Sequence, residues 1–266
     1  MNEKNQLPEL KLFLDNALRE YNQHSFIEKD PISIPHRFSR KQDIEIAGFF
    51  AAIFAWGNRT TIINKCNELI KLMDDAPYDF IIHHQDIDLK KFLNFKHRTF
   101  NPTDLLHFIR VLKHHYKSNG TNKKNENTTL ESAFTMSMKN KDKNVENGIR
   151  GFHDYFFSLE DSPSRTKKHL STPENNSSCK RINMYLRWMV RKDEHGVDFG
   201  IWKNIRMDQL ICPLDVHVQR VARKLNIIKS DKADWKTAVE LTNILKKMDP
   251  NDPIKYDIAL FSLGAK

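Results

Sequence analysis

The sequence predicts an all-α protein. Apolar residues recur three and four positions apart along most of the chain, which is the spacing of one helix face. No stretch of convincing length alternates apolar and polar residues as a half-buried strand does. A hydrophobic content of 39 %, with four Trp and seventeen Phe, is enough to fill a core. The 266 residues allow one domain of two lobes or two small domains.

Amphipathic repeats separated by turn residues predict the helices of the first half. A proline-rich connector at 30–38 follows the first repeat, and Gly57-Asn58 joins the second repeat to the third. The segment 101–103 is a predicted cap for the last of them. The predicted helices cover residues 7–22, 41–56, 59–73, two short segments near 79–82 and 89–95, and 104–116.

In the second half, two polar stretches at 117–128 and 139–147 contain few apolar residues and are predicted loops. Helical spacing resumes after each of them. The predicted helices here cover residues 129–138, 148–157, 179–192, 215–225, 235–248 and 254–263.

Basic residues exceed acidic ones in this chain. Lys and Arg number 43 against 34 Asp and Glu, which gives a formal net charge of +9. This balance favours a polyanionic partner such as nucleic acid, although a lysine-rich solvated surface explains the same numbers. The sequence shows no signal peptide and no apolar run of eighteen residues, so we expect a cytoplasmic protein without a membrane partner, nucleoid-associated if bacterial. A monomer is the expected state, which the sequence does not fix.

Metal and cofactor ligands are not evident. Cys66, Cys179 and Cys212 are far apart and form no C-x-x-C pair, which argues against a cysteine-ligated zinc and against a four-cysteine iron–sulfur cluster. His114 and His115 are adjacent, so their side chains diverge on a helix, and no acidic or cysteine ligand joins them. We therefore expect no cofactor and no metal.

Lys180 lies near the predicted start of the helix 179–192, where Ser177 and Ser178 offer N-cap oxygens. The first turn of a helix presents the positive end of the dipole, which disfavours an ammonium group. A partly buried lysine there is expected to lose its proton more readily and to act as a nucleophile. The ordinary alternative is a lysine that faces solvent.

Asp215 follows Pro213-Leu214 and begins the next predicted helix. Taken alone it is most simply an N-cap, which contributes about 1 kcal/mol. An amine and a carboxylate at the starts of two successive helices also form a candidate catalytic pair. Asp215 and Lys180 are therefore the predicted catalytic residues.

The segment after residue 212 also carries a wider pattern. It reads Pro213-Leu214-Asp215-Val216-His217-Val218-Gln219-Arg220-Val221-Ala222-Arg223-Lys224-Leu225. This pattern resembles a motif of the helix-hairpin-helix (HhH-GPD) DNA glycosylases, in which the aspartate is catalytic. The resemblance implies a two-lobed all-α unit, with the helices around 40–157 in one lobe and the N-terminal helix and 176–266 mainly in the other.

Bifunctional members of that superfamily have a lysine upstream of the aspartate, and Lys180 falls where the resemblance requires. The long separation from Asp215 is more similar to the archaeal-type 8-oxoguanine DNA glycosylases. The added length lies in 193–212, which we expect to form part of a base pocket or a packing arm. A signature between Cys179 and Trp202 also resembles a family of uncharacterised bacterial proteins.

The resemblance implies contacts with DNA as well. The turn at 57–59 is similar to the element that fills the gap left by an extruded base, although an ordinary helix-to-helix turn explains it too. The candidate DNA-binding residues are Asn58, Arg59, Lys167, Lys168, Ser178, Arg181 and Arg220. One departure is that residues 170–178 contain none of the glycines with which the superfamily hairpin approaches a phosphate.

These features predict a base-excision repair enzyme that acts on double-stranded DNA. A damaged base, for which the resemblance suggests 8-oxoguanine, flips out of the duplex. Lys180 attacks C1′ while Asp215 takes the proton and stabilises the positive centre, and the Schiff base permits AP-lyase cleavage. The main alternative is a non-catalytic nucleic-acid-binding module of the same fold. The sequence does not separate DNA from RNA.

Overall fold

The computed structural model describes residues 3–118 and 128–265, and within them it confirms the all-α fold class. No strand occurs in those two ranges, and extended pairing is limited to two isolated bridges, His97 with Phe100 and Lys192 with Phe199. None of the helices in the described part combines the length and apolarity needed to cross a membrane. The predicted loop 117–128 falls mostly on residues 119–127, which lie outside the described residues.

Twelve α-helices form the described part of the chain. They are α1 (Glu3–Tyr21), α2 (His24–Glu28), α3 (Lys41–Phe54), α4 (Arg59–Leu72), α5 (Pro77–His83), α6 (Pro102–Ser118), α7 (Glu131–Thr135), α8 (Glu146–Phe156), α9 (Lys180–Val190), α10 (Val216–Lys224), α11 (Trp235–Met248) and α12 (Tyr256–Ala265). Most of the longer helices coincide with the predicted amphipathic repeats, because a helix with one apolar stripe buries that stripe.

Some predicted boundaries were wrong. The segment predicted near 89–95 is a 3-10 helix at Asp86–Phe92, which starts where the Gln85 N–H donates to Asp88 at 2.8 Å. The helix predicted at 129–138 is only the five residues of α7. α2 was not predicted, because five residues are too few to show a period.

The chain divides into two compact units. The first, called the central unit, comprises Lys29–Met138 and Gly148–Ser171. α3 is buried on nearly all sides, which suits its Ala, Gly, Ile and Phe content. Phe49 of α3 stacks on Phe108 with ring centroids 5.6 Å apart. Glu45 is buried in the same helix and accepts a hydrogen bond from the Tyr116 hydroxyl at 2.8 Å, so this charge is compensated.

The second unit, called the terminal unit, comprises Met1–Glu28, Lys139–Asn147 and Thr172–Lys266. Two buried arginines organise it, Arg187 within α9 and Arg191 directly after its end. Arg187 donates to Asp198 at 3.2 Å and to Asp257, while Arg191 donates to Asp198 and to Asp252, each at 2.9 Å. Buried charges require such partners, so this network fixes α9 against the loop that follows it and against the start of α12.

Candidate functional site

Lys180 is the first residue of α9. The N-cap is Cys179, which adopts a left-handed conformation (φ 52) and makes no side-chain cap bond. The prediction that Ser177 or Ser178 caps this helix was therefore wrong. Ser177 instead accepts the Cys179 N–H at 3.1 Å, and the Asn183 amide donates to the Ser178 carbonyl at 2.9 Å. These two bonds stabilise the tight turn that directly precedes Lys180.

Asp215 is the N-cap of α10, as predicted. Its Oδ1 accepts the N–H groups of His217 and Val218, both at 2.9 Å. Satisfying two otherwise unpaired donors fixes the carboxylate at the helix start. The second oxygen, Oδ2, takes no part in the cap.

The two predicted catalytic residues converge. Lys180 Nζ lies 3.7 Å from Asp215 Oδ2. The buried Ser178 hydroxyl donates to the Leu214 carbonyl at 2.9 Å and so joins the segments that precede the two helices. The side chains are 28 % exposed for Lys180 and 13 % exposed for Asp215. This buried hydrogen bond holds the two helix starts together, while both side chains stay within reach of a ligand from solvent.

Behind this pair lies a buried carboxyl that the sequence reasoning missed. Asp257, at the start of α12, accepts hydrogen bonds from Arg187 and from the Cys212 thiol, the latter at 3.8 Å. Burial raises the pKa of Asp257 to about 6; Arg187 opposes this shift, and the negative charge of Asp215 adds to it. The negative charge of Asp215 thus acts on the buried carboxyl of Asp257.

The candidate DNA contacts of the terminal unit differ in accessibility. Ser178 is buried, with its hydroxyl donated to Leu214, and Arg181 is partly buried. Burial lowers the pKa of Arg181 to about 10. Arg220 is exposed and donates to the Gly264 carbonyl. Arg220 is thus the most open of the three, and their contact with DNA stays a prediction.

The remaining candidates belong to the central unit. Asn58 caps α4 by accepting the Thr61 N–H at 3.1 Å, and Arg59 is exposed in its first turn. Lys167 and Lys168 are exposed on a 3-10 helix at Ser164–His169. The contact of these four residues with DNA also stays a prediction.

Two central-unit features near these turns were not predicted. The Arg98 guanidinium lies over the Trp56 ring, 4.8 Å from its centroid, with Arg98 itself in a left-handed conformation (φ 55). The Ser164–His169 segment is anchored by Asp104, which accepts the Thr166 hydroxyl at 2.8 Å. Neither contact has a local sequence pattern, since the partners are far apart along the chain.

Metal binding has no support in the described ranges, where no group of three or more His, Cys, Asp and Glu side chains is placed to hold an ion. The buried thiols do not provide a reactive alternative. Burial raises the pKa of Cys179 to about 12, which keeps it protonated at neutral pH.

Residues 30–266 match DUF2400, described as a protein of unknown function. The chain belongs to the DUF2400 family. No curated protein and no solved structure matches it. The assignment to the HhH-GPD glycosylases, and within them to the archaeal-type 8-oxoguanine enzymes, was wrong, because DUF2400 is the family that matches over almost the whole chain. A proline followed by a capping aspartate and an amphipathic helix is a general helix start, so the short motif is not diagnostic.

Proposed function

We propose that this protein is an enzyme that releases a damaged base from double-stranded DNA, with Lys180 as the nucleophile and Asp215 as the assisting carboxylate. The observation that most strongly supports the proposal is the 3.7 Å separation of Lys180 Nζ and Asp215 Oδ2. This geometry, and not a family relationship, is its basis. An amine beside a carboxylate is the arrangement that amine nucleophiles use when a neighbouring base activates them.

In the proposed reaction, the Lys180 amine attacks C1′ of the target nucleotide. The C1′–N bond to the base breaks, and the base leaves with that electron pair and takes a proton from solvent. Asp215 Oδ2 accepts the proton that the attacking amine loses and stabilises the positive charge at C1′. Opening of the sugar ring gives a Schiff base, which water hydrolyses to restore the lysine.

The partial exposure of both side chains suits a substrate that arrives from solvent. A base inside a duplex is out of reach, so the nucleotide must rotate out of the stack before Lys180 can touch C1′. The net charge of +9 favours a polyanionic substrate. Exposed Arg220 in the terminal unit and exposed Lys167 and Lys168 in the central unit are the proposed phosphate contacts.

A nucleic-acid-binding protein without bond chemistry is the second candidate. One observation favours it: Asp215 Oδ1 already caps α10, so the ion pair with Lys180 can serve to fasten two helix starts together. The absence of glycine in 170–178 also leaves the approach of a phosphate to be made by Asn and Ser groups.

Borohydride trapping separates the two candidates. The protein is mixed with duplexes that each contain one lesion, including 8-oxoguanine, uracil and an abasic site, and reduced with sodium borohydride. We expect a covalent protein–DNA adduct with at least one duplex, and its loss in Lys180→Gln. The matched control is Lys236→Gln, which removes an exposed lysine from α11 of the same unit and should leave the adduct unchanged.

Tight binding without an adduct or base release on any duplex would favour the binding protein. An adduct that persists in Lys180→Gln would assign the nucleophile elsewhere and end the proposal. DNA affinity measured from 50 to 200 mM salt should fall steeply, by about 10³-fold or more if six or more phosphates are contacted.

A further inference from the structure

A large open cavity lies in the central unit and takes no part in the proposed reaction. Its volume is about 830 Å³, within the range of about 300–1,000 Å³ that is usual for small-molecule sites. The exposed side of α6 forms its floor, and the 3-10 helix Asp86–Phe92 and the segment 159–163 form its walls. From residue 102 to residue 117 the helical floor is about 22 Å long.

The two ends of this α6 cavity differ in polarity. The end near the start of α6 is apolar, lined by residues that are mostly half-buried. They are Pro102, Leu106, Ile109, Leu159 and Pro163. Along the rest of α6 the lining side chains Arg110, Lys113 and Lys117 follow one another at about one-turn spacing. An apolar end and a basic end therefore share one elongated cavity.

The cations at the basic end have N–H donors that remain available for a ligand. Neither Arg110 nor Lys117 forms an ion pair or side-chain hydrogen bond with any residue that the structure describes. Lys113 donates one hydrogen bond to the His84 carbonyl at 2.6 Å, which holds its ammonium in place and leaves two further donors.

Two carboxylates also line the cavity, Asp86 and Asp161, against the three cations. Burial lowers the pKa of His84 and of His107, so these two lining imidazoles are neutral at pH 7. The cations still outnumber the carboxylates, and they lie together on one helix. The basic end therefore attracts an anion.

We propose that the α6 cavity binds an elongated organic anion, with an alkyl or similar apolar body along the Leu106 end and its charged head at Arg110, Lys113 and Lys117. Burial of the apolar body supplies the affinity, and the row of cations sets the orientation of the ligand in the cavity.

Binding of three twelve-carbon probes tests the proposal by calorimetry at concentrations below micelle formation. Dodecanoate and dodecyl phosphate share the body and differ in the anionic head, while dodecanol keeps the body without a charge. We expect saturable one-to-one binding of at least one anion, and an affinity for dodecanol lower by about fivefold or more. The tighter of the two anions identifies the head as carboxylate or phosphate.

Two variants locate the site. Arg110→Glu reverses a cation at the basic end, and Leu93→Asp places a charge on a lining leucine of the cavity wall that is already 54 % exposed, so both should fold. Each should weaken the preferred anion about fivefold or more. The matched controls are Lys71→Glu, an exposed cation on α4, and Leu12→Asp, a 61 % exposed leucine on α1, and both should bind as the unaltered protein does.

Equal affinities for the anions and dodecanol, equal affinities across all variants, or no saturable binding of either anion would each overturn the proposal. Lys180→Gln provides the link to the proposed DNA chemistry. It should abolish the borohydride adduct and leave anion binding in the α6 cavity unchanged, so either proposal can fail without the other.

Discussion

Asp104 and Asp215 lie at helix starts, one in each unit, and they differ in how their carboxylate oxygens are used. Asp104 shares a capping box with Asn101: each accepts the other's N–H, at 2.9 and 3.2 Å. It also accepts from Thr166 and Arg165 and lies 3.2 Å from the ring of His169, with its side chain fully buried. Asp215 caps α10 with one oxygen only, and it is partly exposed.

The difference shows that a basic partner alone does not distinguish a reactive carboxylate from a structural one. Both oxygens of Asp104 are occupied by donors, so neither can take a proton from a substrate or admit a ligand. Asp215 Oδ2 has no hydrogen-bond donor within the described part of the chain, and Lys180 stands 3.7 Å away. Spare acceptor capacity and access to solvent therefore mark Asp215 as the candidate for chemistry.

The largest expected effect concerns activity. Asp215→Asn keeps the size of the side chain and one cap oxygen but removes the proton acceptor, so the rate of adduct formation should fall about 10²- to 10⁴-fold. Single-turnover borohydride trapping measures this rate. Asp231→Asn, an exposed site in the same unit, is the control. An unchanged rate in Asp215→Asn would remove the carboxylate from the mechanism.

Among substitutions at Asp104 and Asp215, Asp104→Ala should destabilise the protein most. It removes the buried carboxylate that accepts hydrogen bonds from Arg165, the Thr166 hydroxyl and the Asn101 N–H, and breaking such a network lowers the free energy of unfolding by about 3–5 kcal/mol. Urea denaturation at pH 7 measures the change. A loss below about 1 kcal/mol would mean that Asp104 is not the structural carboxylate of the comparison.

Low pH should lower the stability of the folded protein through Asp104. Burial alone would raise the pKa of Asp104, but hydrogen bonds from the Asn101 N–H and the Thr166 hydroxyl, with His169 and Arg165 nearby, hold it below its usual value of 3.8. A carboxyl with a lowered pKa stabilises the folded state above its unfolded pKa, and this contribution disappears as the pH falls. Below pH 4 the free energy of unfolding should thus drop by up to about 1.4 kcal/mol per pH unit from this group.

The variant Asp104→Asn removes that titration. Its free energy of unfolding, measured by urea denaturation between pH 2 and pH 5, should depend less on pH than that of the unaltered protein. Parallel curves of unfolding free energy against pH for the two proteins would show that Asp104 does not cause the loss of stability at low pH.

The smallest effect is the stability cost of altering the candidate site. Asp215→Ala should lower the free energy of unfolding by about 1 kcal/mol through loss of the cap. Lys180→Gln should cost less than about 1 kcal/mol, because a partly exposed ion pair contributes little. If either variant proves as destabilising as Asp104→Ala, the pair with Lys180 is a structural fastening and the binding-protein alternative gains.

Sequence periodicity was enough to predict the long helices. The Asp215 cap was also predictable, because a capping aspartate before an amphipathic repeat is a local signal. The turn at Cys179 was not predictable in this way, since a left-handed cysteine has no characteristic neighbours. The pairing of Asp104 with His169 and the burial of Asp257 arise from tertiary contacts, which no spacing along the chain reports. The approach of Lys180 to Asp215 was predicted from the two helix starts and from a resemblance that proved wrong, and the two side chains do converge.

The buried arginines Arg187 and Arg191 make the α9 region dependent on residues far along the chain. Their partners Asp257 and Asp252 lie 70 and 61 positions downstream. Until those carboxylates are in place, two cations would be left in a dry interior, so the α9 region should become ordered late in folding. The amine and carboxylate of the proposed site would then come together only after this long-range contact has formed.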